Sequence, residues 1–291
     1  APVTLAEAKG VLAGYTTANN NANAQRSDTQ LAAAETGSSF AIDAGLYVTQ
    51  AAAGTAPYPA FGPVQATYYI PGNEPAGGPR WFVVQVANAF NSAPGKVTSN
   101  EYLLFTQSAA GTWQDTIEPY LLSGAGNPQI QTGTDGLATA VSPDTATLKV
   151  TPSQLPADTA ASLDGTAAAA RIASPGNLAD QAAQTLYQGK DTGGTVTDTH
   201  TPAAGTDGQQ YALQTADGGA LVFYTDAAHL TITPPAGSAL HLAIPGLYTS
   251  QQSLTQAAAA YLEQFAAYDP PATAAATPRI TADYSGITGK N

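Results

Sequence analysis

Three carboxylates, Glu101, Asp115 and Glu118, fall on neighbouring expected strands, and Asp217 and Asp226 on another hairpin. Paired carboxylates about 5–5.5 Å apart serve retaining glycosidases, and about 6.5–9.5 Å apart inverting ones. Exposed strand and turn positions explain the same residues without chemistry. Of the three histidines His200, His229 and His241, the last two fall on adjacent expected strands, with Asp226 near in sequence. A metal site needs a third ligand and an outer layer that orients it, so surface strand histidines are the expected reading. Ser285-Gly286 after Asp283 lacks the glycine and the strand-to-helix turn of a serine nucleophile and reads as a strand-end turn. Gly193-Gly194 and Gly218-Gly219 lack the helix N-terminus and the charge that phosphate binding needs. No catalytic residue, metal ligand or cofactor is assigned from these patterns.

The aromatics offer a different chemistry. Tyr68, Tyr69, Trp81, Phe82 and Tyr102 crowd the first group of strands, and Tyr211, Phe223 and Tyr224 the second. Strand alternation puts Trp81 and Phe82 on opposite faces. One face is expected to meet helices. Aromatics on the other either fill a core or line a cleft for a small apolar or sugar-like ligand, for which Trp81, Tyr68, Tyr102 and Tyr224 are the candidates.

The elements that position these residues read as follows. Thr4-Leu5-Ala6-Glu7 is a capping box, and the helix it opens runs on through Asn19, Asn20, Asn21 and Asn23. Ser27-Asp28-Thr29-Gln30 opens a shorter helix that is expected to stop near Gly37, and a loop covers 51–63. Strands are expected at 65–70, 80–90, 101–107 and 112–122. Gly and Pro break the pattern over 123–160, which suggests a connection near 145–155 between module 1–150 and module 151–291. In the second module, alanine-rich helices are expected at 156–173 and 175–188. Strands follow at 209–215, 219–226, 229–233 and 240–244, with Asp217-Gly218 as a type I′ hairpin turn. The spacing of Leu254, Ala258, Tyr261, Leu262 and Phe265 predicts a helix over 251–268, and 279–284 a closing strand. Gly77-Gly78 and Gly218-Gly219 each lead into an aromatic, β-branched strand, as diverged copies of one module would. The expected class is α+β, with helices packed on mainly antiparallel sheets in two NTF2-like or cystatin-like modules.

Composition narrows the function. Charged residues make up 10% of the chain, against roughly 25% in an ordinary soluble domain, so neutral polar groups must supply the surface. The net charge is −12 and the nine basic residues are scattered, which argues against a nucleic-acid partner or an anionic lipid surface. No Cys is present, which removes disulfides, thiol nucleophiles and cysteine metal sites. The start at Ala1-Pro2 is expected to follow removal of an upstream segment. No apolar run approaches the ~20 residues of a membrane span.

The stretches NNNANAQRSDTQLAAAETG (19–37), PRWFVVQV (79–86), LLFTQS (103–108), TWQDTIEPYLLSG (112–124), YALQTADGGALVFYT (211–225) and TPRITADYSGITG (277–289) occur in an order that resembles a family of uncharacterised actinobacterial secreted lipoproteins, classed as a domain of unknown function. The resemblance implies an envelope protein held by a lipidated Cys upstream of the folded part, and it transfers no catalytic residue. The expected function is therefore a non-catalytic, extracellular or envelope-anchored protein that binds a partner protein or small ligand. The alternative is a carboxylate hydrolase acting on cell-wall or sugar substrates.

Overall fold

The computed structural model describes residues 2–74, 79–166, 171–173 and 194–290. Helix α1 (Leu5–Gln25) begins as expected, with the Thr4 side chain accepting the Glu7 amide at 3.1 Å. Loss of this cap by Thr4→Ala is expected to cost about 1 kcal/mol in urea unfolding. The asparagine run stays helical because its side chains have tertiary work. Asn19 and Asn23 are buried, while Asn20 bonds the Phe61 carbonyl and amide and so pins the first strand.

Ser27 caps a single turn, α2 (Asp28–Leu31). Gly37 does not end the helical region: it opens a third helix, α3 (Gly37–Ala53), which takes up the first residues of the expected 51–63 loop. Residues 34–36 lie against the fourth strand, with the Thr36 amide donating to the Asp115 carbonyl and the Asp115 amide to that of Ala34, both at 2.9 Å.

Ten strands follow among the described residues: β1 (Phe61–Tyr69), β2 (Trp81–Phe90), β3 (Val97–Gln107), β4 (Trp113–Ile117), β5 (Tyr120–Leu121), β6 (Thr195–Pro202), β7 (Tyr211–Gln214), β8 (Ala220–Thr233), β9 (Ala257–Asp269) and β10 (Arg279–Gly289). A short helix, α4 (Leu155–Leu163), lies where the expected 156–173 helix begins. The expected helix at 175–188 and the Gly77-Gly78 and Gly193 positions fall outside the described residues.

The fold is α+β with one large antiparallel sheet, in the order β1-β2-β3-β5-β10-β9-β8-β6, with β4 also paired to β3 and β7 to β8. Read from its two edges inward, the sheet runs β1, β2, β3, β5 and β6, β8, β9, β10, so β2 and β8 hold matching places. The strands of residues 1–150 and 151–291 join at a short seam, where Leu121 pairs with Ala282 and Tyr120 with Asp283.

One face of β2 and β3 (Phe82, Val84, Leu103, Phe105) packs on Leu12 and Tyr15 of α1. Their other face (Trp81, Val83, Tyr102, Leu104) meets Leu213, Leu221 and Phe223 of β7 and β8, strands from the far half of the sheet. That contact requires the sheet to curl on itself. A separate core under α4 gathers Leu155, Val222, Tyr224 and Phe265.

Three expectations for the second half are corrected. Residues 257–269 form the inner strand β9, paired with β8 and β10, and not a helix. The expected strands at 219–226 and 229–233 are one continuous β8, while 240–244 contributes only isolated bridges to Leu254 and Tyr248. The β7–β8 hairpin exists, but Asp217 keeps a negative φ while Gly218 lies at +85°, and Gly218 donates to the Thr215 carbonyl. This is a type I turn followed by a left-handed glycine rather than type I′.

Candidate functional site

The site lies beside the seam, where α1 and α3 cover β3, β5 and β10. Five buried carboxylates gather there: Glu35, Asp43, Glu101, Asp115 and Glu118. Three of them, Glu101, Asp115 and Glu118, are the trio singled out in the sequence. Glu35 and Asp43 come from the α2–α3 junction and from α3 itself. The backbone pairing of residues 34–36 with β4 brings Glu35 beside Asp115. Asp43 reaches the seam because α3 lies close on β10, where Tyr284 donates to its Oδ1 at 2.7 Å.

Each carboxylate has a neutral donor. Asn19 donates to Glu35 Oε1, Ser39 to Asp115 Oδ2 at 2.7 Å, Tyr15 to Glu118 Oε2 at 3.1 Å, and Asn88 to Glu101. Gln264 of β9 ties the halves together. Its Nε2 donates to Ser38 and Ser39, and its Oε1 accepts the Glu118 amide at 2.8 Å. Burial raises every one of these carboxyl groups. It takes Asp43 to about 6 against the pull of Tyr284, and Glu101 to about 7 against Tyr120, Asn88 and Ser99. Glu35, Asp115 and Glu118 are pushed well above the usual carboxylate range by burial first and then by neighbouring carboxylates, Asp43 among them in each case.

Above the carboxylates opens a cavity of about 190 Å³. Asp43, Glu101 and Glu118 form its acidic floor, with Tyr15, Tyr47, Tyr120 and Tyr284 around them. Tyr58, Leu46 and Phe61 stand nearer solvent. Among the described residues no Lys, Arg or His lines it. Such a cavity offers oxygen acceptors to hydroxyl, ammonium or metal groups.

The four aromatic candidates do not converge on it. Tyr102 is in the core, edge-on to Phe223 at 5.3 Å, and Tyr224 is buried under α4 with its hydroxyl 2.6 Å from Thr159. Trp81 packs on Tyr211 at the edge of a more open hollow, and Tyr68 borders another beside Leu137. His229 and His241 are exposed, whereas His200 is buried with Nδ1 2.7 Å from Asp164 and Nε2 3.6 Å from Glu263. Asp226 belongs to this second cluster, where burial and Glu263 raise its carboxyl and His200 opposes them. Asp217 and Asp226 therefore lie in different surroundings: Asp217 is held below its usual value chiefly by hydrogen bonds from Thr215 and Tyr268, which offset a burial effect that works against it. Ser285 lies in β10, opposite Glu263 on β9.

A family model described as a domain of unknown function, DUF8094, matches residues 2–291. The chain belongs to the DUF8094 family. No curated protein and no solved structure matches it. The DUF8094 description carries no activity, so the roles of Glu35, Asp43, Glu101, Asp115 and Glu118 are argued from their chemistry alone.

Proposed function

We propose that this protein is a non-catalytic, extracytoplasmic binding protein that takes a small hydroxylated, sugar-like ligand in the seam cavity. The observation that carries the reading is the pairing of an aromatic mouth, Tyr58 and Phe61, with a floor of carboxylates and amides. Sugars are bound in this way, with apolar ring faces on aromatics and hydroxyls on buried polar acceptors. The volume of about 190 Å³ lies below the roughly 300 Å³ where drug-sized sites begin, so the ligand is small.

The sparse charge and the lipoprotein resemblance support secretion and a lipid anchor upstream of Ala1, in an actinobacterial envelope. No helix among the described residues is long and apolar enough to cross a membrane. The mirrored strand order supports reading the halves as two NTF2-like or cystatin-like copies fused edge to edge.

A glycosidase reading is weaker. Oxygens of Glu35, Asp43 and Glu118 all lie within 4.8 Å of one another, closer than the ~5–5.5 Å of a retaining pair. Glu35 and Asp115 are also too buried to reach a substrate.

Thermal unfolding against monosaccharides and cell-wall fragments tests the proposal. A ligand at one hundred times its Kd adds about 2.7 kcal/mol of stability. A rise in Tm is expected with one hydroxylated class, and Tyr58→Ala is expected to abolish it. A flat panel, or a response that Tyr58→Ala leaves intact, overturns the reading.

A further inference from the structure

We propose that Glu35, Asp43 and Glu118 bind one calcium ion at the base of the cavity. Each offers an oxygen within 4.8 Å of those of the other two, a spacing that one ion between them can bridge. At 1% exposure Glu35 is sealed from solvent, yet its Oε2 has no hydrogen-bond partner and its Oε1 is already held by Asn19. A sealed carboxylate oxygen of that kind is costly unless a cation or a proton meets it.

The surroundings are those of a metal centre. Ligating carboxylates are themselves oriented by hydrogen bonds, and here Asn19, Tyr284 and Tyr15 each hold one oxygen of one ligand and leave the other. Among the described residues the ion pairs lie elsewhere, so no side-chain cation neutralises the three. Asp43 and Glu118 also face the cavity, which gives an ion its way in.

The donor set chooses the ion. All ligands are oxygen, which disfavours zinc and copper. Magnesium keeps most of its water and uses one or two carboxylates, whereas calcium accepts three, bidentate or not, and fills its sphere with water. The inference rests on the trio and does not require the sugar-like ligand.

The test is calorimetric titration of the full chain with CaCl₂ at pH 7.5, after chelation and dialysis and with no organic ligand present. One ion per chain is expected, with a Kd below about 1 mM. Glu35→Gln is expected to weaken binding at least tenfold, and Glu7→Gln, at the remote pair with Arg80, to leave it unchanged. If Glu35→Gln does not fold, Asp43→Asn must show the same loss. No saturable binding by the wild type, a response to Mg²⁺ without one to Ca²⁺, or equal affinity in the folded variant overturns the proposal. Repeating the sugar panel in chelator separates the two readings: a metal failure leaves that response standing.

Discussion

In chelator, urea unfolding is expected to show greatest stability near pH 4–4.5 and a loss of several kcal/mol by pH 7. Asp43 rises on folding from 3.8 to about 6, Glu101 from 4.5 to about 7 and Asp269 from 3.8 to about 7, each chiefly through burial. Between those limits the folded chain holds protons that the unfolded chain has released, so stability falls as pH rises. Below about pH 4 the contribution of these groups is fully present, and it is lost as pH climbs through 6 and 7. At about 1.4 kcal/mol for each pH unit, Asp43 and Glu101 each remove roughly 3 kcal/mol and Asp269 roughly 4. Glu35, Asp115 and Glu118, pushed higher, extend the fall beyond neutrality. Calcium at the trio holds its members ionised, so saturating Ca²⁺ is expected to lift the neutral limb selectively. A profile in chelator that climbs from pH 4.5 to 7 would show these carboxylates to be ionised in the folded chain, against the burial argument.

Gly45→Ala is expected to cost about 3 kcal/mol, at the upper end of ordinary overpacking. A Cβ at Gly45 overlaps the Ile287 backbone carbonyl of β10, which cannot move without disturbing the sheet. The contact is reciprocal, since a Cβ on Gly286 would lie 2.6 Å from Ile42 Cγ2. These two glycines let α3 settle on β10, and that approach sets Asp43 under Tyr284. The substitution is therefore expected to weaken calcium binding as well as folding. Gly10→Ala, on the exposed side of α1 with nothing within 4 Å, is the control and is expected to stabilise by up to about 1 kcal/mol. Equal unfolding midpoints for Gly45→Ala and wild type would sink the close-packing account.

The sequence was most legible where local pattern and tertiary role agree. The capping boxes, the aromatic strands β2 and β3 and the grouping of Glu101, Asp115 and Glu118 all follow from short-range spacing. Strand β9 does not. AAAAYLEQFAAYD has the alanines and the i, i+4 spacing of a helix, and helix propensity is a weak prior that tertiary pairing overrides. With β8 and β10 on either side, Ala266 faces one core and Ala267 another, so small residues suit a strand enclosed on both faces. Glu35 and Asp43 stayed hidden for a related reason. Their place depends on Thr36 bonding Asp115 and on α3 meeting β10, contacts between distant parts of the chain that no local spacing encodes.

Strand β10 is last in sequence among the ten but sits in the middle of the sheet, between β5 and β9. Order of synthesis and order in space are thus opposed. A nascent chain can assemble β1–β3 and β8–β9 early, but the two groups stay unstitched until residues 279–289 arrive. Such late, long-range pairing makes for slow folding and leaves sheet edges exposed meanwhile. Until Tyr284 arrives, Asp43 lacks its hydrogen-bond donor, so the cation pocket matures with the final stitch.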